Sequence, residues 1–327
     1  MTYTIEKVTT LIGARRYGDN DTNIGFILTD SRSLCFPEET LFFALKSERN
    51  DGHNYIPELY RRGVKNFVVT DVPKGYASDY PEANFLKVVN TLEALQRLAE
   101  RHRDEFNIPI VGITGSNGKT MVKEWLYQLL SPSMFVTRSP RSYNSQIGVP
   151  LSVWLMNEQT QVGVFEAGIS QPGEMLALRD IIQPTIAVLT NVGSAHQENF
   201  SSLEEKCREK LILFHDAETV VYDGDDEVIT KVVAKYPDYK GEKLFWSLKN
   251  PEAPFYVKKI EKQQSVSVIT YIYKGVEDSF SIPFIDDASI QNSIICAAVA
   301  SKIGLSAEDI DKRMALLEPV AMRLEVK

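Results

Sequence analysis

The sequence predicts an α/β protein in two parts. Residues 1–89 form a small mixed α/β domain, residues 90–320 form a larger domain with a mostly parallel sheet flanked by helices and a smaller antiparallel β region, and residues 321–327 are left over. Three observations predict this. From Ile108 onward, apolar strands alternate with amphipathic helices, the pattern of a parallel sheet. Before residue 90 the apolar runs are short and separated by turn residues. Beyond residue 240, segments such as Ser265 to Tyr273 alternate polar and apolar, as antiparallel strands do. At roughly 100–200 residues per domain, a chain of 327 residues has room for two cores.

In the first part, Ile24 to Leu28 is a short apolar run followed by the polar Thr29 to Ser33. Thr40 to Leu45 has the aromatic and apolar content of a strand. Asp51-Gly52-His53 makes a turn, Ile56 to Arg62 reads as helix, and Asn66 to Thr70 is a strand stopped before Pro73. Lys74 to Asn84 has loop composition. Residues Thr91 to Phe106 put Leu92, Leu95, Ala99 and His102 on one helical face, which predicts a helix opening the second domain.

In the second part, Ile108 to Thr114 is an apolar strand. Met121 to Leu130 carries Val122, Trp125, Leu126, Leu129 and Leu130 on one helical stripe. Val162 to Phe165 and Ile186 to Leu189 are further strands, and Gly173 to Ile182 between them is a helix ended by Pro184. Ser201 to Glu205 is a capping box that starts a helix through about Phe214. Lys243 to Leu248, Phe255 to Ile260 and Ser265 to Tyr273 read as antiparallel strands, and Ser289 to Ile303 as a closing apolar helix.

Composition excludes several classes. With 43% hydrophobic and 24% charged residues, the chain is neither disordered nor fibrous. A net charge of -8 provides no bulk attraction to nucleic acid or an anionic membrane, so neither partner is expected. An anionic ligand must then be held by a local device. Cys35, Cys207 and Cys296 are odd in number and lack metal-type spacing, which predicts neither a disulfide framework nor a zinc site and fits a reducing cytoplasm. No run is long and apolar enough to insert in a membrane, and the first residues lack the apolar core of a signal peptide.

One local device is present. The Ile110 to Ile113 strand runs into Thr114-Gly115-Ser116-Asn117-Gly118-Lys119-Thr120, and a helix begins at once. Small residues let successive backbone N–H groups face one concavity at a helix N-terminus, Lys119 can reach β- and γ-phosphates, and the Thr120 hydroxyl can bind Mg²⁺. The strict Walker spacing is not met, because Ile113 stands where its first glycine belongs. Glu166, at the C-terminal end of a strand, is placed to ligate that metal, and His196, after the next strand, to ligate a second one. Lys210 falls on the buried stripe formed by Leu203, Cys207, Leu211 and Phe214. Such a lysine either snorkels outward or has its charge altered by its site, and periodicity leaves both readings open.

These motifs resemble the Mur ligases, which form amide bonds in peptidoglycan assembly through an acyl phosphate made from a substrate carboxylate and ATP. The family's phosphate loop also departs from Walker spacing. Thr190 to Phe200 and Ser142-Tyr143-Asn144-Ser145-Gln146-Ile147-Gly148-Val149-Pro150-Leu151 are similar to the branch that adds D-alanyl-D-alanine. Asp30-Ser31-Arg32, Leu41 to Lys46 and Asp51-Gly52-His53 resemble the family's UDP-sugar domain. The resemblance covers essentially the whole chain.

What it implies is specific. Residues 1–89 would bind the UDP-N-acetylmuramoyl peptide, 90–320 would be a P-loop ATPase domain, and 321–327 would begin a linker to a C-terminal ligase domain absent here. Thr114, Gly115, Ser116, Asn117, Gly118, Lys119, Thr120, Asn292 and Arg323 would bind ATP. Thr120, Glu166, His196 and a carbamylated Lys210 would hold two Mg²⁺ ions, with Lys119, Lys210 and His196 serving the chemistry. Ser31, Arg32 and Lys46 would face the UDP-sugar, and Tyr143 and Asn144 the growing peptide substrate. Gln291 and Ile295 stand where the family's adenine motif carries His and Asn. The implied protein is a monomeric bacterial cytoplasmic ligase joining D-alanyl-D-alanine to UDP-N-acetylmuramoyl-tripeptide. Alternatives stay open: a tripeptide-forming sibling, or a non-catalytic UDP-sugar- and ATP-binding fragment, including one from a ligase–alanine racemase fusion.

Overall fold

The computed structural model describes residues 1–193, 199–235 and 239–320. The chain divides into two compact units, one of residues 1–106 with 156–158, the other of 107–155 with 159–327. The division therefore falls after Phe106 and not at residue 89. Helix Thr91–Arg103 buries Ala94, Leu95, Leu98 and Ala99 within the first unit instead of opening the second. Asn90 starts that helix, its side chain accepting from the backbone N–H groups of Leu92 and Glu93.

The first unit holds a five-stranded sheet in the order Arg15–Tyr17, Asn84–Lys87, Asn66–Val69, Thr40–Phe43, Phe26–Leu28. All neighbours are parallel except the edge pair Arg15–Tyr17 and Asn84–Lys87. Its core is aromatic, with Phe67 in ring contact with both Phe42 and Phe85. The strand Asn84–Lys87 begins where the sequence shows only a loop, and a short helix, Tyr76–Asp79, precedes it.

His102 is a buried anchor of this unit. Its Nε2 lies 3.1 Å from the Met156 carbonyl and therefore donates, which leaves Nδ1 to accept from the Tyr3 hydroxyl at 2.8 Å. Burial pushes its pKa from 6.5 down to about 4. Because the folded value lies below the unfolded one, this stability is fully present above pH 6.5 and is lost as pH falls toward 4. Between pH 7 and 4.5 the expected loss is about 2 kcal/mol, and urea titrations at those two values should show it in the wild type and not in His102→Gln.

The second unit is built on a nine-stranded sheet, in the order Val276–Ile282, Ser267–Tyr273, Phe255–Lys262, Glu242–Ser247, Thr219–Asp223, Ile186–Leu189, Ile110–Thr114, Val162–Glu166, Val136–Arg138. Pairing is parallel from Val136–Arg138 through to the start of Phe255–Lys262, and antiparallel only in the last two pairs. Glu242–Ser247, read from sequence as antiparallel, pairs parallel on both sides. The reason is its connection: helix Glu227–Val233 returns the chain from Thr219–Asp223 as a crossover, and crossovers produce parallel neighbours. Helices Lys119–Leu130 and Asp287–Ile303 supply much of the core, through Trp125, Leu126, Leu129, Ile294 and Ala298. Among the described residues, no helix is long and apolar enough to cross a membrane.

Candidate functional site

Strand order explains where the site lies. Ile110–Thr114 is flanked on one side by Val162–Glu166 and on the other by Ile186–Leu189, so the chain crosses from one half of the sheet to the other there. Open α/β sheets leave a crevice beyond the carboxyl ends of such strands. The register pairs Glu166 with Ile113 and Leu189 with Thr114, which brings Glu166 to the end of the strand and Thr190 level with Gly115.

The loop itself is held from the Thr190 side. Ser116 N–H donates to the Asn191 carbonyl at 3.0 Å, Asn117 N–H to Asn191 Oδ1 at 3.0 Å, and Gly193 N–H to Ser116 Oγ at 2.9 Å. The Thr190 hydroxyl donates to the Asn117 carbonyl. Gly115 and Gly118 have φ of 147° and 81°, a region that favours glycine. Gly118 starts helix Lys119–Leu130 with no side chain capping its N–H groups, which leaves that helix end to an anion.

Three lysines converge on the loop. Lys119 Nζ donates to the Gly115 carbonyl at 2.9 Å, Lys210 Nζ to the same carbonyl at 3.2 Å, and Lys206 Nζ to the Gly193 carbonyl at 2.6 Å. Lys206 and Lys210 are buried. Burial, reinforced by the charges of Lys119 and Lys206, pulls Lys210 from 10.5 to about 7. Burial also lowers Lys119, against the attraction of Glu166. Like charges crowded in a low-dielectric site repel one another, and a bound anion relieves that repulsion.

Opposite the lysines lies an oxygen pair. Thr120 Oγ1 is 3.2 Å from Glu166 Oε2, which also accepts from Asn144 Nδ2 at 3.4 Å, and Ser142 Oγ is 3.4 Å from Thr120 Oγ1. Two adjacent oxygens on an octahedral Mg²⁺, each at roughly 2.1 Å, lie about 3 Å apart, so Thr120 and Glu166 fit one Mg²⁺ with little movement. Glu166 Oε1 is buried without a directed hydrogen bond. Among the described residues, no three His, Cys, Asp or Glu side chains gather to hold a metal.

The sequence-derived residues are placed as follows. Residues 114–120, Glu166, Lys210 and Asn144 come together. Asn292 packs against Gly118, where an added Cβ would lie 2.5 Å from its Oδ1, and its Nδ2 lies 3.2 Å from Met121 Sδ. Tyr143 is exposed. His196 and Arg323 lie outside the described residues. In the first unit, Ser31, Arg32 and Lys46 follow the carboxyl ends of the adjacent parallel strands Phe26–Leu28 and Thr40–Phe43. Asp30 accepts from Arg32 N–H at 3.0 Å and pairs with its guanidinium at 2.6 Å, which holds the Asp30 carboxyl down to about 2. Lys46 lies 3.7 Å from Asp51, whose Oδ1 is 2.6 Å from His53 Nδ1.

Lys123 and Lys206 were not singled out in the sequence. Lys123 is fully buried and lies 3.0 Å from Glu166 Oε1. The available signal was its spacing, one helical turn after Lys119 on the face that meets the loop.

Comparison with known proteins agrees with this geometry. Residues 113–300 match the model described as the Mur ligase middle domain, and residues 23–103 the one described as Mur ligase family, catalytic domain. The chain is 29% identical over 312 residues to the UDP-N-acetylmuramoyl-tripeptide–D-alanyl-D-alanine ligase of Bacillus subtilis, covering 93% of this chain and 64% of that protein. It thus spans under two thirds of that relative's length. The fold is similar to a crystal structure of MurF from Acinetobacter baumannii, with a TM-score of 0.88 and 24% identity over 99% of this chain and 70% of that one. It is also similar to the Thermotoga maritima MurF ligase solved with ADP, with a TM-score of 0.77 and 26% identity over 90% of this chain and 66% of that one. The middle-domain match alone covers more than half of the sequence and begins at the strand that feeds the phosphate loop, so the chain belongs to the Mur ligase family.

Proposed function

We propose that this chain carries the nucleotide- and UDP-sugar-binding parts of an ATP-dependent carbon–nitrogen ligase of peptidoglycan synthesis. The reaction joins D-alanyl-D-alanine to UDP-N-acetylmuramoyl-tripeptide through an acyl phosphate. The observation that carries this reading is the convergence of Lys119 and Lys210 on the Gly115 carbonyl, with Lys206 on the neighbouring Gly193 carbonyl, beside the Thr120–Glu166 oxygen pair. The names of the B. subtilis relative and of the T. maritima complex with ADP support it.

In this reading the loop N–H groups and Lys119 hold the β- and γ-phosphates and stabilise charge as the γ-phosphoryl group passes to the substrate carboxylate. Mg²⁺, bound by Thr120 and Glu166, would neutralise phosphate charge. Asn292 and Arg323 would contact the nucleotide, and Ser31, Arg32, Lys46, Tyr143 and Asn144 the UDP-peptide. The amine of the dipeptide then attacks the acyl carbon and phosphate leaves.

Lys210 is the proposed carbamate. With its pKa near 7, a share of the side chain is neutral amine at physiological pH. That amine can add to CO₂, forming an N–C bond and releasing a proton. The resulting carboxylate, with His196, would serve a second Mg²⁺. The proposed setting is the bacterial cytoplasm, and the free thiols of Cys35, Cys207 and Cys296 suit a reducing compartment.

The reading is tested by calorimetric titration with ADP and, separately, with UDP-N-acetylmuramoyl-tripeptide. Lys119→Ala should weaken ADP binding about a hundredfold and leave the UDP-peptide untouched. A chain that ignores the UDP-peptide would refute the ligase reading. Turnover is read as ADP release that requires the UDP-tripeptide and D-alanyl-D-alanine together. Release driven by a single amino acid would move the protein to the tripeptide-forming branch.

A further inference from the structure

Lys123 has no place in the scheme above, yet it is completely buried on the phosphate-loop helix. Its ammonium lies 3.0 Å from Glu166 Oε1 and 3.0 Å from Glu124 Oε1, and it donates to the carbonyl of Arg141. Glu124 is in turn held by Arg138 Nε at 3.0 Å. Glu166 is equally buried, and its oxygens have separate partners: Oε1 faces Lys123, while Oε2 faces Thr120 and Asn144.

A second lysine starts the same helix. Lys119 lies one turn before Lys123 and next to Thr120, whose Oγ1 is 3.2 Å from Glu166 Oε2. Its ammonium nevertheless donates to the Gly115 and Ser116 carbonyls, at 2.9 and 3.5 Å. The buried carboxylate is thus paired with Lys123, while Lys119 is held by the loop carbonyls.

We propose that Lys123 is a positioning residue: by holding Glu166 Oε1 it keeps the carboxylate from pairing with Lys119, leaving Lys119 to a phosphate group and Oε2 to a divalent cation beside Thr120. The proposal rests on the nucleotide reading above. A buried carboxylate that loses its partner turns to another cation or takes up a proton. Without Lys123, pairing with Lys119 would draw the ammonium off the loop and Oε2 off Thr120. The hold on Arg141, a non-glycine residue at φ 50°, ties the same ion pair to the segment that carries Tyr143 and Asn144.

The experiment is ADP binding by calorimetry, in EDTA and in Mg²⁺. Lys123→Met should weaken binding in EDTA about tenfold and abolish the gain that Mg²⁺ brings to the wild type. Adding Glu166→Gln should recover most of the loss in EDTA, because Lys119 is freed. Adding Glu124→Gln, which removes the same charge from the other side of Lys123, should not. Equal rescue by both would mean a general charge effect and overturn the proposal, as would Lys123→Met binding like wild type. If Lys123→Met does not fold, Lys123→Arg decides: it keeps the cation and should bind within about threefold of wild type in EDTA, and a larger loss overturns the proposal. A wild-type chain that binds no ADP overturns the nucleotide reading and this one together. Wild-type binding with neutral Lys123 variants overturns this one alone.

Discussion

Gly115→Ala is expected to destabilise the second unit by about 2–5 kcal/mol and to abolish nucleotide binding, the larger of the two effects predicted here. Two costs add. The backbone sits at φ 147°, where an L-residue is strained, and the new Cβ would lie 1.9 Å from Thr190 Oγ1 and 3.1 Å from its Cβ. Moving Thr190 aside breaks its bond to the Asn117 carbonyl and loosens the loop from the Asn191 side. The N–H groups then no longer share one concavity. Urea denaturation and ADP calorimetry read the two losses separately. Combining Gly115→Ala with Thr190→Ala should recover the steric part of the stability loss and leave the backbone part. Full recovery would show that φ carries no strain.

Lys210→Met is expected to make the protein more stable and, under the proposed function, to remove nearly all ligase turnover. The wild-type ammonium is displaced from 10.5 to about 7 by burial and by two neighbouring lysines. The folded value lies below the unfolded one, so the penalty is complete below pH 7 and is relieved as pH rises toward 10.5. Its upper bound is about 4–5 kcal/mol, of which methionine, keeping the volume without the charge, should recover on the order of 1–2 kcal/mol at pH 7. The Gly115 carbonyl keeps its bond from Lys119, so no buried acceptor is stranded. Ligase turnover should fall by at least about a hundredfold while ADP affinity changes far less, as expected for a group that tunes a metal and not for one that grips phosphate. Wild-type turnover should also depend on bicarbonate, and the variant's residual rate should not. A variant with wild-type turnover would end the carbamate proposal.

The phosphate loop was legible in the sequence because everything that defines it is contiguous: strand, small residues, Lys119, Thr120 and helix follow one another within a dozen positions. Glu166 was legible for a related reason, since a parallel strand's carboxyl end predicts where its next residue points. Lys210 was visible only as an anomaly on an apolar stripe. The structure gives that anomaly a cause in the Gly115 carbonyl, 95 residues away in sequence. Lys123 was missed because periodicity placed Val122, Trp125 and Leu126 on the buried face and left Lys123 off it. Its burial comes from Glu166 and the Arg141 carbonyl, brought over it by other segments of the chain. Asn292 was read from the family's adenine motif, and here its side chain lies against Gly118 and Met121.

The fold divides in the same way. Runs such as Val162–Glu166 and Ile186–Leu189 declare themselves by composition, and helix Leu203–Leu211 by its Ser202 cap, which accepts from Glu205 N–H at 3.1 Å. Alternation along Glu242–Ser247 gives the strand's period and says nothing of its neighbours' direction, which depends on the helix that leads into it. Helix Thr91–Arg103 shows an apolar face in sequence, but which core receives that face is a long-range matter. Local order along the chain therefore determined that this protein has a glycine-rich loop between a strand and a helix, a mostly parallel sheet and the motifs of its family. Folding in three dimensions settled how the loop's charges are balanced, because the partner of a buried charge is set by proximity in space, which spacing along a single strand or helix does not encode.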